Sequence, residues 1–179
     1  ANMVHFLVDR YAQGPREQLR GMARTHEPVE YPEVGVYHPK TEQNIGTLMR
    51  TAHLYDAAFV FTVGRRYKQQ ASDTPKTGLH TPLFHFETVD DLIAHLPNGS
   101  PLVGVELDPR ATPLHEFSHP ERATYLLGAE DHGLPVDVLD KCHSLVVLDS
   151  VRPQSMNVAT AGSIVIYDRH IKARARVLV

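Results

Sequence analysis

The chain has 179 residues, 42% of them hydrophobic and 22% charged, with a formal net charge of −3. That length suits one full hydrophobic core, and the slight acidity excludes a global nucleic-acid footprint, so any such contact has to be a local patch. The lone Cys142 excludes an internal disulfide and fits a reducing, cytoplasmic setting, and with no apolar run of transmembrane length or charged-then-apolar leader in the pattern, no membrane attachment is expected.

Residues 1–32 read as an N-terminal extension, ahead of a single domain over 33–179. Val4–Val8 has the composition of a short strand, and Gly14–Arg24 that of a helix started by Pro15. Arg10, Arg16, Arg20 and Arg24 make this part basic, either as a solvated face or as a surface touching RNA or a second subunit.

From Glu33 the pattern becomes regular. Val34–Tyr37 predicts a strand, and Pro39 keeps His38 out of a helix. Asn44–Asp56 predicts a helix and Ala58–Val63, rich in β-formers, a strand. Gly64–Leu79 reads as a long polar loop, Leu83–Phe86 as a strand, Val89–Leu96 as a helix and Pro97–Gly99 as a turn. Strands follow at Leu102–Leu107 and Thr124–Gly128, then a helix at Leu134–Cys142 and a strand at Ser144–Leu148. Ser155 is placed to cap a last helix that carries Ala159, Gly162, Ser163 and Ile166 at helical spacing. Continuous apolar strands alternating with helices predict a mostly parallel α/β sheet covered on both faces.

Three stretches carry chemistry-bearing residues at helix and strand ends. Asn44-Ile45-Gly46 leads to Arg50 two turns along. Leu127-Gly128-Ala129-Glu130-Asp131-His132-Gly133-Leu134 is a glycine-flanked acidic loop. Ser155-Met156-Asn157-Val158 opens the last helix. In this order the three resemble the motifs of the SpoU/TrmH-type RNA 2′-O-methyltransferases, and the small, single-domain members above all. The lead into the third motif departs from the family's pattern. It reads Val147-Leu148-Asp149-Ser150-Val151-Arg152-Pro153-Gln154, with displaced proline and two charges.

The resemblance implies a C-terminal trefoil knot, S-adenosylmethionine as cofactor, a homodimer, and RNA as substrate, with tRNA ahead of rRNA. It places the cofactor against Val105, Gly128, Val147, Ser155 and Asn157, and assigns catalysis to Arg50, Asn44, Glu130 and Asn157. Glu130 is expected to fix the loops and Arg50. Arg50 is either the base that takes the ribose proton or a cation that orients phosphate and stabilises the developing alkoxide; a guanidinium resists deprotonation. Arg50, Arg65, Arg66 and Lys68 are the RNA-binding candidates, and Tyr67 could stack on a base. A solvated loop is the competing reading of Arg65–Gln70. A silent relative that only binds cofactor or RNA is the competing reading of the whole chain.

No metal is expected. His115-Glu116-Phe117-Ser118-His119 spells H-E-x-x-H, but Pro113 and Pro120 bracket it and leave barely two turns for a helix that must set both histidines on one face. Cys142 reads as a buried, inert thiol. Arg169, His170, Lys172, Arg174 and Arg176 read mainly as complements to the last helix dipole, with an extension of the RNA-binding patch as the other reading.

Overall fold

The computed structural model describes residues 32–66, 81–97, 100–152 and 154–177. The expected strand 4–8 and helix 14–24, together with Tyr67, Lys68 and most of the polar loop after Gly64, lie outside the described residues.

Among the described residues one sheet is built from β1 (Glu33–Tyr37), β2 (Phe59–Val63), β3 (Leu83–Phe86), β4 (Leu102–Val105), β5 (Thr112–Pro113), β6 (Thr124–Leu127) and β7 (Ser144–Val147). The helices are α1 (Glu42–Leu54), α2 (Val89–Ala94), α3 (Val136–Leu139) and α4 (Val158–Val177). Strand order is β3-β2-β1-β6-β4-β7-β5, and every pairing is parallel. β2, β4 and β6 are buried at every position, which is why they read as unbroken apolar runs rather than alternating ones. The chain lays β2 and β3 on one side of β1 and β6, β4 and β7 on the other. Such a reversal opens a crevice at the carboxyl ends of the strands.

α1 turns Ile45, Leu48, Met49 and Ala52 inward. Ile45 and Leu48 are fully buried, each stabilising the fold by about 1.5–3 kcal/mol. α4 lies against α1: a Cβ at Gly162 would meet Leu48 and Leu127, and the Thr51 and Ser163 hydroxyls bond at 2.7 Å. The small-residue face of α4, with buried Ala159 and Ile166, is therefore used within the chain.

Several boundaries differ from the sequence reading. Leu134–Cys142 is helical only over Val136–Leu139, because Lys141 and Cys142 close three-residue turns onto Val138 and Leu139 instead of continuing the α pattern. β4 ends at Val105, where Glu106 turns its side chain onto loop amides. The edge strand β5 was not expected; it is two residues long, and its second is a proline.

The H-E-x-x-H spelling falls on turns after β5. His115 is exposed, whereas His119 is buried between Tyr125 (2.6 Å) and Asp168 (2.8 Å). Arg169 donates to the carbonyls of Pro120 and Glu121 and to the Tyr125 hydroxyl, Lys172 to those of Leu114 and Phe117, and Arg176 to that of His119. So three cations of α4 pin the 114–121 segment, where the sequence suggested a complement to the helix dipole. Cys142 is partly buried, and burial pushes its thiol up to about 11.

Candidate active site

A cleft opens at the carboxyl ends of β4, β6 and β7, against the start of α4. Val105, Leu107, Leu127, Leu148, Met156, Val158 and Ala161 give it apolar walls. Glu106, Glu130, Ser150, Gln154 and Ser155 give it polar ones. Of the residues expected here, Val105, Gly128 and Ser155 line the cleft. Val147 does not: side chains alternate along a strand, and its neighbour Leu148 takes the lining position. Asn157 stands beside the cleft rather than in it.

The side chain of Asn157 settles how α4 begins. Its Oδ1 accepts from the amides of Ala159 (3.0 Å) and Thr160 (3.2 Å), so Asn157 is the cap that the sequence assigned to Ser155. Its Nδ2 donates to Asn44 Oδ1 at 3.0 Å. Asn44 Nδ2 in turn donates to Glu130 Oε1, which Thr41 Oγ1 also reaches at 3.3 Å. Lys40 pairs with the adjacent Asp131. One chain of hydrogen bonds, Asn157–Asn44–Glu130–Thr41, therefore joins all three motifs. Asn44 is not a helix cap, since Thr41 precedes the first turn of α1 and Asn44 sits within it.

Arg50 is exposed on α1, and its side chain has no hydrogen bond or ion pair to another described residue. The expected Glu130–Arg50 link is replaced by Glu130–Asn44. At helical spacing Arg50 shares an exposed stripe with Gln43, Thr47 and Leu54.

Glu106 was missed in the sequence, although an acid ending an apolar strand was its signal. Its Oε2 accepts from the Leu134 amide at 2.7 Å and its Oε1 from the Leu107 amide at 2.9 Å. The carboxylate so ties the loop after β4 to the loop after β6. Gly133 has φ +62°, and a Cβ on either Gly128 or Gly133 would strike Glu106. Both glycines leave room for Glu106, and Gly128 also for the Gly133 backbone, a more specific need than room for a ligand.

Arg65 and Arg66 are exposed at the end of β2, and with Lys40, Thr41, Glu42 and Ile45 they border a second, polar cavity.

A family model described as the SpoU rRNA methylase family matches residues 32–167. A search among curated proteins by sequence finds no match. Among solved structures, an AdoMet-bound rRNA methyltransferase from Sinorhizobium meliloti superposes with a TM-score of 0.71 at 21% identity, covering 83% of this chain and 59% of that one. The A. aeolicus TrmH/SpoU tRNA modifying enzyme gives 0.73 at 17% identity, covering 82% and 77%. A protein solved in work on the 2-OH methylation of C/U34 on tRNA gives 0.68 at 23% identity, covering 82% and 99%. The chain thus spans about three fifths of the rRNA methyltransferase and nearly all of the last protein.

Proposed function

The chain belongs to the SpoU rRNA methylase family, and from that premise we propose that it is an S-adenosylmethionine-dependent RNA 2′-O-ribose methyltransferase acting on tRNA. The observation that carries the reading is the hydrogen-bond chain Asn157–Asn44–Glu130–Thr41 beside the cleft. It ties together three sequence-distant motifs at one place in the fold. The cover of nearly the whole of the C/U34 relative supports tRNA over rRNA.

The donor set of the cleft fits the cofactor. Glu106 and Glu130 suit a molecule bearing a sulfonium and an ammonium, the Ser150, Gln154 and Ser155 side chains suit a carboxylate, and Leu107, Leu127, Leu148 and Met156 suit the faces of adenine. When bound, S-adenosylmethionine supplies an electrophilic methyl group. The protein's own residues hold and polarise. Asn44 and Glu130 fix α1 against the motif loops, Asn157 fixes the start of α4, and Glu106 fixes the far wall. Arg50, free of other described partners, neutralises RNA phosphate and the charge growing on the ribose oxygen. As a guanidinium it stays protonated through the reaction. Arg65, Arg66 and Lys68 extend the RNA contact. The family's trefoil knot is consistent with the meeting of the loops after β4, β6 and β7 on α4.

The reading includes a homodimer. With Ala159, Gly162 and Ile166 spent inside the chain, the opposite side of α4 leaves Ile164, Tyr167 and Ile171 exposed, and Leu54 of α1 is 73% exposed. A second subunit would cover them.

The test is transfer of labelled methyl from S-adenosylmethionine to bulk tRNA and to rRNA, followed by alkaline digestion, which a 2′-O-methyl group blocks. Alkali-resistant label in tRNA is expected. Cofactor binding without transfer to either RNA would leave a binding module.

A further inference from the structure

The cavity bordered by Lys40, Thr41, Glu42, Arg65 and Arg66 is separate from the cofactor cleft, yet the two share a wall. Thr41 lines the first and Glu130 the second, and Thr41 Oγ1 bonds Glu130 Oε1. Among the described residues three cations and one acid border it. Lys40 is compensated by Asp131, and Arg66 is only loosely paired with Glu87, at 3.8 Å with both side chains 73% exposed. Arg65 has no hydrogen bond or ion pair to another described residue. Among the described residues no aromatic side chain borders the cavity. It offers charge and hydrogen-bond donors to a compact anion.

The geometry points to this cavity as a backbone-phosphate subsite for RNA, holding a phosphate next to the ribose presented to the cleft. The assignment rests on the RNA-methyltransferase reading and adds Lys40 and Thr41 to the substrate surface. The Thr41–Glu130 bond then links substrate and cofactor sides: a phosphate that draws on Lys40 competes with Asp131 in the same loop that carries Glu130.

Phosphate contacts position without reading sequence, and each one adds to the salt dependence of binding. The experiment is anisotropy of a labelled, mixed-sequence single-stranded RNA of about 20 nucleotides between roughly 50 and 200 mM salt. It uses the full chain and the variants Arg65→Gln, Lys40→Gln and Arg174→Gln, with thermal melts to show that each is folded. Arg174, exposed near the far end of α4, is the control for loss of one positive charge anywhere. Arg65→Gln is expected to weaken binding several-fold and to lower the log–log salt slope by about 0.7. Lys40→Gln, already offset by Asp131, should give a smaller change in the same direction, and Arg174→Gln no change in slope. Equal slopes in all four proteins, an Arg174→Gln effect as large as that of Arg65→Gln, or no RNA binding by the unmodified chain would overturn the subsite. So would polyglutamate competing as well as RNA, which would mark an acidic-protein surface. Calorimetry with S-adenosylmethionine separates the two readings: its failure on the unmodified chain sinks the methyltransferase reading and leaves the salt slopes standing.

Discussion

The two ends of the sheet bury and bond their polar groups in opposite ways. At the amino end, Glu33, Ser100, Thr124, His119, Tyr125 and Arg169 are buried. Ser100 and Thr124 donate to Glu33 at 2.8 and 2.6 Å, and a relay runs from Arg169 through Tyr125 and His119 to Asp168. At the carboxyl end, Asn157 and Thr41 are exposed, Asn44, Glu106 and Glu130 half-buried, and two glycines clear space for Glu106. The first network holds α4 and the 114–121 segment to the sheet; the second joins loops around a cleft. Groups buried at the amino end are spent mainly on one another, whereas a site keeps groups near water with bonding capacity to spare.

Arg169→Ala should break the comparison most visibly. It strips donors from two carbonyls and a buried hydroxyl, and should lower unfolding free energy by about 3–5 kcal/mol. Denaturant titration measures this; the surviving folded fraction should bind cofactor as before. Arg50→Ala should do the reverse. Single-turnover methyl transfer should fall by a hundredfold or more, about 3 kcal/mol, while melting temperature and cofactor affinity hold. Arg50→Lys should recover little, because the planar fork is lost. Near-normal transfer by Arg50→Ala would remove it from the site. Asn157→Ala sits between the two. Losing the cap of α4 should cost about 1 kcal/mol of stability, and losing the Asn44 bond should also weaken the cofactor, read by melt and calorimetry together.

The smallest effect is on pH. Burial raises the carboxyl of Glu33 above its ordinary 4.5 and lowers His119 below its ordinary 6.5. A raised carboxyl withdraws stability as pH climbs above 4.5; a lowered histidine withdraws it as pH falls below 6.5. Between these two values the contributions oppose each other, Glu33 losing stability on the way up from pH 4.5 and His119 on the way down from pH 6.5. Glu33→Gln should remove the fall in melting temperature that sets in as pH rises above 4.5, and His119→Gln the fall that sets in as pH drops below 6.5. Unaltered profiles would show that the amino-end network does not govern the pH response.

The carboxyl end was the more legible of the two in the sequence. Asn44, Glu130 and Asn157 stood out because the three stretches that hold them, taken in order, resemble the motifs of one family, and the parallel sheet followed from β2, β4 and β6 being apolar throughout. What stayed hidden depended on side-chain direction. Leu148 rather than Val147 faces the cleft, Asn157 rather than Ser155 caps α4, and Glu130 bonds Asn44 rather than Arg50. None of these can be told from spacing alone, since neighbouring residues compete for one amide or one direction. The amino-end network was illegible for another reason. His119 and Arg169 are 50 positions apart in sequence and meet only through Tyr125 once β6 and α4 are packed, so one was read within a metal spelling and the other as a helix-end charge.

The most direct test of the central claim, that the cleft of β4, β6, β7 and α4 holds S-adenosylmethionine, is a titration of the cofactor followed by backbone amide NMR. Shifts should concentrate at 105–107, 127–130, 148–156 and 161, with the amino-end residues 119, 125 and 169 unmoved. Saturable shifts centred elsewhere, or none, would contradict it.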